Sequence, residues 1–150
     1  VDPDNRRPVD YDSPGGLRAA LDRVDHSGLH GEETLDEAKL RLTSRLCRLR
    51  AERPDTFVGE RSGYMPLPMT TACAFAYARL LDDEADVVVL VRRLGRRLER
   101  LGGWGDHTIV LPPGEWTDVL ADAPVSGGTR RLADVVGEES VVVLARPRRG

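Results

Sequence analysis

The chain has 150 residues, of which 40% are hydrophobic and 31% charged, and its 22 basic and 25 acidic side chains give a formal net charge of −3. That balance fits an ordinary soluble domain, and with only two cysteines it excludes a disulfide scaffold as well as a disordered or collagen-like chain. The longest uninterrupted apolar run, 72–78, is seven residues, against the roughly 20 that a membrane-spanning helix needs.

The chain opens on Val1 rather than methionine, and VDPDNRRPVDY has neither the apolar core nor the cleavage site of a signal peptide, so a piece of a longer protein is expected. Pro3, Pro8, Pro14, Gly15 and Gly16 predict an irregular segment over 1–16. Leu17, Ala20, Leu21 and Val24 share a helical face, which predicts a short helix over 17–24. Thr34 and Glu37 form a T-x-x-E capping box, in which the threonine and the glutamate satisfy each other's free backbone amides. A second helix therefore begins there. Leu35, Ala38, Leu42, Leu46 and Leu49 recur every three or four residues as its apolar stripe, and Pro54 stops it. A start near Thr43 or Ser44, with 39–42 extended, is the competing parse.

Beyond Pro54 the period becomes β-like. Strands are expected over 64–69, 73–79, 86–92, 107–111, 115–120, 129–135 and 140–146, with turns at Asp82, Asp83 and Glu84 and at Pro112, Pro113 and Gly114. Pro66 and Pro68 confine the first of these to a sheet edge. Leu94, Leu98 and Leu101 form an amphipathic turn or two, with the neighbouring arginines in water. The predicted class is α+β, with loop and helices first and an antiparallel sandwich after them. The two regions are 1–55 and 56–150.

Lys39 is the only lysine, so 21 of the 22 basic residues are arginine. They are scattered and outnumbered by acids, which points to compositional habit and away from a nucleic-acid partner. Cys47 and Cys73 each stand alone, without the paired spacing of a metal site. Both are expected to be buried small hydrophobes in a reducing, cytoplasmic compartment. His26 and His30 have helical spacing, but Gly28 and Gly31 break such a helix, so no metal is expected. His107, at the head of a strand, reads as a hydrogen-bonded strand residue. Trp104 and Trp116 offer faces for sugar stacking or, for Trp116 above all, for core packing. No zinc-protease, phosphate-loop or serine-elbow motif occurs. The densest polar cluster is Asp2, Asp4, Asn5, Arg6, Arg7, Asp10 and Tyr11 around Pro3 and Pro8; it suits either recognition of vicinal hydroxyls or an exposed salt-bridged loop.

That decapeptide, DPDNRRPVDY over 2–11, resembles a segment of the maltooligosyltrehalose synthase family, and more loosely the D-N-x-R-x-P-x-x-[WY] segment near the last barrel strand of the α-amylase superfamily. RLCRLRAERPDTFVGERSGYMPL over 45–67 resembles that superfamily's crossing from the last barrel helix into its C-terminal β domain. The likeness continues through CAFAYAR, GGWGDHTIVLPPGEWTDVL and VVVLARP. It implies a parent enzyme that rearranges the reducing-end α-1,4 linkage of a maltooligosaccharide into an α,α-1,1 linkage, without a cofactor. It also implies that the three catalytic carboxylates lie upstream, so that this chain holds no catalytic residue and is inactive alone. The rest of the catalytic barrel is the implied partner. Asp4, Asn5 and Arg7 fall on the D-N-x-R positions with one residue missing before Pro8, whereas counting back from Pro8 selects Arg6; their implied role is to hold glucosyl hydroxyls. Two other readings stay open: a non-catalytic carbohydrate-binding sandwich, and part of another α-amylase-superfamily hydrolase or transferase.

Overall fold

The computed structural model describes residues 35–148. The expected loop over 1–16, the short helix over 17–24, Thr34 of the capping box and the His26/His30 pair lie outside the described residues. The chain divides into two compact units, Val1–Arg48 and Leu49–Gly150.

Helix α1 spans Leu35–Glu52, as the longer of the two parses requires. Along its stripe Leu42 and Leu46 are half-buried and Leu49 is buried, while Cys47 is exposed, against the expectation that both cysteines pack inside. The reason is angular: Cys47 lies one position after Leu46, about 100° around the helix from it. Cys73, by contrast, is buried. Pro54 does end α1, and a single turn, α2 (Pro54–Phe57), follows with that proline at its start, where the missing N–H costs nothing.

Six strands follow: β1 (Ser62–Leu67), β2 (Ala74–Leu81), β3 (Glu84–Arg92), β4 (Thr108–Asp118), β5 (Ala123–Arg131) and β6 (Val141–Ala145). All pair antiparallel, in the order β1-β2-β3-β6-β4-β5. In place of the expected two-sheet sandwich the strands form one hydrogen-bonded sheet that curls over its own core, because β6 pairs with both β3 and β4. An isolated bridge from Met69 to Ile109 joins the chain just after β1 to the start of β4. Pro66 sits on the edge strand, as its missing donor demands.

Strand alternation fills the core. Ala74, Ala76 and Ala78 of β2, Val88 and Leu90 of β3, and Val142 and Leu144 of β6 face inward, with Ile109, Leu111 and Trp116 from β4. Two short helices, α3 (Gly95–Arg100) and α4 (Leu132–Val135), add Leu98 and Leu132 to this core. Of the leucines expected on the amphipathic turn, only Leu98 packs; Leu94 and Leu101 are exposed. Asp82 and Asp83 form a two-residue hairpin with φ of 50° and 64°, the twist that suits a right-handed ribbon. Arg61 grips this hairpin with a fork, Nε to Asp82 Oδ1 at 2.9 Å and Nη2 to Oδ2 at 2.5 Å. The hydrogen bond to Arg61, aided by its charge, holds the Asp82 carboxyl below the usual carboxylate range.

Three strand expectations need correction. The stretches 107–111 and 115–120 are one strand, because Pro112, Pro113 and Gly114 make a bulge rather than a turn: pairing passes from Leu111↔Gly128 to Glu115↔Ser126, so three residues of β4 face Gly127 alone. The expected strand over 129–135 ends at Arg131 and gives way to α4. Its true strand begins earlier, at Ala123, through glycines and a proline that alone read as loop.

Gly127 is where the bulge imposes a residue type. A Cβ there would stand 2.3 Å from the Pro112 carbonyl oxygen and 3.0 Å from the backbone N and O of Gly114, none of which can swing aside. Gly127→Ala is therefore expected to cost about 2 kcal/mol, in the range of core overpacking. A urea-denaturation midpoint equal to that of the unmodified chain would count against this account.

Candidate functional site

The sugar-contacting candidates Asp4, Asn5, Arg6 and Arg7 lie outside the described residues. Within Leu49–Gly150, the concentration of ionisable groups is at the junction where the α1–α2 corner meets the ends of β3 and β6. Arg53 is in that corner because Pro54 ends α1 directly after it. Its Nη1 donates to Asp86 Oδ1 at 2.7 Å, and its Nη2 donates to the Arg146 carbonyl at 2.5 Å. The second oxygen of Asp86 accepts from the Thr56 hydroxyl at 2.6 Å. The Arg53 and Asp86 side chains are only 13% and 15% exposed, and Thr56 is buried. A buried ion pair of this kind holds geometry because neither partner can be left without the other.

Arg146 continues the network. Its Nε donates to the Ala85 carbonyl at 2.6 Å and its Nη2 to the Pro113 carbonyl at 3.1 Å, while its guanidinium lies 4.7 Å from the centre of the Trp116 ring. The indole Nε1–H of Trp116 donates to the Pro112 carbonyl at 3.0 Å. One arginine thus ties the β4 bulge to β3. Arg79 plays a parallel part on β2: its Nη2 reaches the Thr56 and Phe57 carbonyls and Ser62 Oγ at 3.3, 3.0 and 3.2 Å, with Phe57 stacked beneath it at 5.9 Å. Arg148 also donates to the Glu52 carbonyl.

A cavity of about 460 Å³ opens at this junction, and Asp55, Glu84, Asp86, Arg53 and Arg146 are among its lining residues. Acids and arginines alternate there, and Arg53, Asp86 and Arg146 are engaged with one another or with the backbone. The arrangement clamps a helix end to a sheet; it presents neither an isolated acid–base pair nor a one-signed pocket. Among the described residues no group of three or more His, Cys, Asp or Glu side chains could hold a metal ion. Nor is any helix among them long and apolar enough to cross a membrane.

The remaining sequence candidates fall into place around the core. His107 Nδ1 is 3.1 Å from the Thr70 hydroxyl, which also accepts the Thr108 amide, so His107 is hydrogen-bonded as expected but stands one residue before β4 and not within it. Trp104 and Trp116 are both buried, at 6% and 1% exposure. Trp104 donates its Nε1–H to the Gly137 carbonyl at 2.7 Å. Neither indole therefore offers an open face for a sugar ring. The Arg53–Asp86–Arg146 junction has no spacing motif in the sequence. Its one visible signal was Asp86 at the head of a valine run, where a carboxylate entering a buried strand calls for a partner.

No protein-family model matches the chain. Two curated proteins, from two strains of Mycobacterium tuberculosis, carry the name maltooligosyl trehalose synthase and are each 35% identical over 147 residues, 97% of this chain. Among solved structures, the maltooligosyltrehalose synthase of Arthrobacter ramosus superposes with a TM-score of 0.74 at 29% identity over 98% of the chain. A glycosyltrehalose synthase at 22% identity and a TM-score of 0.63 shares the fold. The class is thus a β domain similar to part of the maltooligosyl trehalose synthases. The chain spans only about a sixth of those relatives, 17% of the curated proteins and 18% of the Arthrobacter structure, and it corresponds to a C-terminal fragment of a maltooligosyl trehalose synthase.

Proposed function

We propose that this chain is the non-catalytic C-terminal part of an isomerase of trehalose biosynthesis, a member of the α-amylase superfamily and glycoside hydrolase family 13 that works in the cytoplasm. The parent would convert the reducing-end α-1,4 linkage of a maltooligosaccharide to α,α-1,1. The anomeric carbon of the penultimate glucose breaks its bond to O4 of the terminal glucose, which takes up a proton, and bonds to O1 of that same glucose, which gives one up, so no water is consumed and mass is conserved. Residues 1–55 would supply the terminal loop and helices of a (β/α)8 barrel and residues 56–150 the β domain. Asp4, Asn5 and either Arg6 or Arg7 would line the substrate cleft, and the catalytic carboxylates would come from the barrel upstream.

The observation that carries this reading is the 35% identity along 97% of the chain to proteins about six times its length. A purely clamping role for the Arg53–Asp86–Arg146 network accords with it. The buried state of Trp104 and Trp116 removes the platform that a free carbohydrate-binding sandwich would have used.

The test is a chimera in which this chain replaces the matching 147 residues of the Mycobacterium tuberculosis protein. Given maltoheptaose, it is expected to yield a product of unchanged mass that has lost its reducing end, while the 150-residue chain alone leaves the sugar untouched. Release of glucose or maltose as the main product would favour a hydrolase instead.

A further inference from the structure

The corner that follows β3 collects charge without balancing it. Arg96, Arg97 and Arg100 of α3 and Arg93 just before it are all exposed. Among the described residues none of these four forms an ion pair, and their side-chain hydrogen bonding is limited to Arg100 Nε, which donates to the Arg96 carbonyl at 3.2 Å. Arg97 and Arg100 suit the negative end of the helix, but Arg93 and Arg96 lie at its other end, where a cation is unfavourable. Like charges three and four residues apart also repel, so the cluster as a whole does not serve α3. Glu99, the one acid within 92–101, lines a cavity of about 450 Å³ with Arg92, Trp104 and Glu138, and none of the four arginines borders it.

Two leucines bracket the cluster. Leu94 is 47% and Leu101 61% exposed. Leu94 is also held in the left-handed region, at φ 53° and ψ 45°. The other non-glycine residues of positive φ among those described are Asp82, Asp83 and Asp122, a type that tolerates this conformation, whereas the leucine Cβ crowds the following carbonyl. The Leu94 carbonyl accepts the Arg97 and Leu98 amides at 2.8 and 3.0 Å, and glycine or asparagine would permit the same turn. A leucine kept there at a backbone cost, with half its surface in water, serves neither the core nor the turn.

The mixture of side chains sets the class of partner. A nucleic acid would call for rings on which its bases could stack, and Trp104, the ring nearest in sequence, is buried. A membrane surface would call for a longer apolar face than the six residues of α3 carry. Arginines interleaved with leucines are complementary to a protein segment whose carboxylates take the guanidiniums and whose aliphatic side chains cover Leu94 and Leu101. The corner also stands away from the point where the chain enters this unit. Arg53 is clamped to Asp86 near the start of β3, and α3 follows the other end of that strand, about 20 Å farther along.

We propose that this corner, centred on Leu94, Arg96, Arg97 and Leu101, docks an acidic segment of a separate protein whose aliphatic side chains alternate with its carboxylates. Fluorescence anisotropy with a labelled synthetic peptide of alternating glutamate and leucine tests it on the 150-residue chain. The peptide should bind, more weakly as salt rises. The triple variant Arg96→Ala, Arg97→Ala, Arg100→Ala should bind it about tenfold more weakly. Leu94→Gly should weaken binding several-fold while leaving the urea midpoint unchanged or raising it, because it relieves the backbone. An active chimera with the Mycobacterium tuberculosis protein should bind the peptide as the free chain does.

Undiminished binding by the triple variant overturns the proposal, as does equal binding of a peptide with glutamine in place of every glutamate. A lower urea midpoint for Leu94→Gly would make that leucine part of the fold and is equally fatal. Tighter binding of single-stranded RNA or of phosphatidylglycerol vesicles would make the corner a nucleic-acid or membrane surface, and self-association abolished by the triple variant would make the occupant a second copy. Loss of peptide binding in an active chimera would mean that the parent itself covers the corner. An inactive chimera that still binds the peptide counts against the enzymatic reading and leaves the docking surface standing.

Discussion

Replacing Asp86 by alanine is expected to destabilise the β unit by about 3 kcal/mol, the lower part of the range for removing one partner of a buried ion pair. The substitution strands the Arg53 guanidinium, 13% exposed, and takes the acceptor from the buried Thr56 hydroxyl. A domain of this size is stable by only about 5–15 kcal/mol in total, so the loss is a large share. Asp86→Asn keeps an acceptor for Thr56 and should cost less. The double variant Arg53→Met with Asp86→Leu should cost less than the sum of the two single changes, because no charge is then left unpaired. Urea denaturation followed by tryptophan fluorescence measures all of these. A loss below about 1 kcal/mol for Asp86→Ala, the value of an exposed pair, would show that the junction is not what fixes the α1–α2 corner to the sheet.

Trp116→Ala is the second large change, expected to cost about 4 kcal/mol, as for other buried aromatic-to-alanine substitutions. The indole is 1% exposed, holds the Pro112 carbonyl through Nε1–H, and carries the Arg146 guanidinium on its face. Trp116→Phe separates these contributions. It retains most of the burial but forfeits the hydrogen bond and part of the cation–π contact, so a loss of about 1–2 kcal/mol is expected. Thermal unfolding and the near-ultraviolet circular dichroism of the remaining tryptophan would report both variants. If Trp116→Ala cost no more than Trp116→Phe, the bulge of β4 would have to repack freely without its indole.

These two sites also mark where the amino-acid pattern could and could not be followed. Alternation exposed β2 and β3 directly, since Ala74, Ala76 and Ala78 point one way and Phe75 and Tyr77 the other. The leucine stripe of α1 and its stop at Pro54 were equally legible. The bulge was not: Pro112-Pro113-Gly114 has the composition of a turn, and the distant contacts with Gly127 and Arg146, with the Trp116 indole four residues on, keep the strand running through it. The start of β5 was hidden for the same reason, because Pro124, Gly127 and Gly128 are tolerated in a strand that pairs with a bulge. Arg53, Arg79 and Arg146 looked like part of a genomic habit, yet each reaches across 22 to 93 residues to a backbone carbonyl. Such pairings leave no local spacing to read. The sugar-contacting candidates at 4–7 rest on resemblance alone, for the same decapeptide would serve as a salt-bridged loop.

Strand order has a consequence for how this domain must be made. β6 lies between β3 and β4, although it is the last of the described strands in sequence. As a ribosome delivers the chain, β1, β2 and β3 can zip together as a meander and β4 and β5 as a hairpin, each from neighbours in sequence. The two halves stay unjoined by any strand ladder until Val141–Ala145 emerges and pairs with β3 on one side and β4 on the other. Until then β3 presents an open row of valine amides to the cell, so a stalled or prematurely ended chain is the form of this protein most exposed to aggregation.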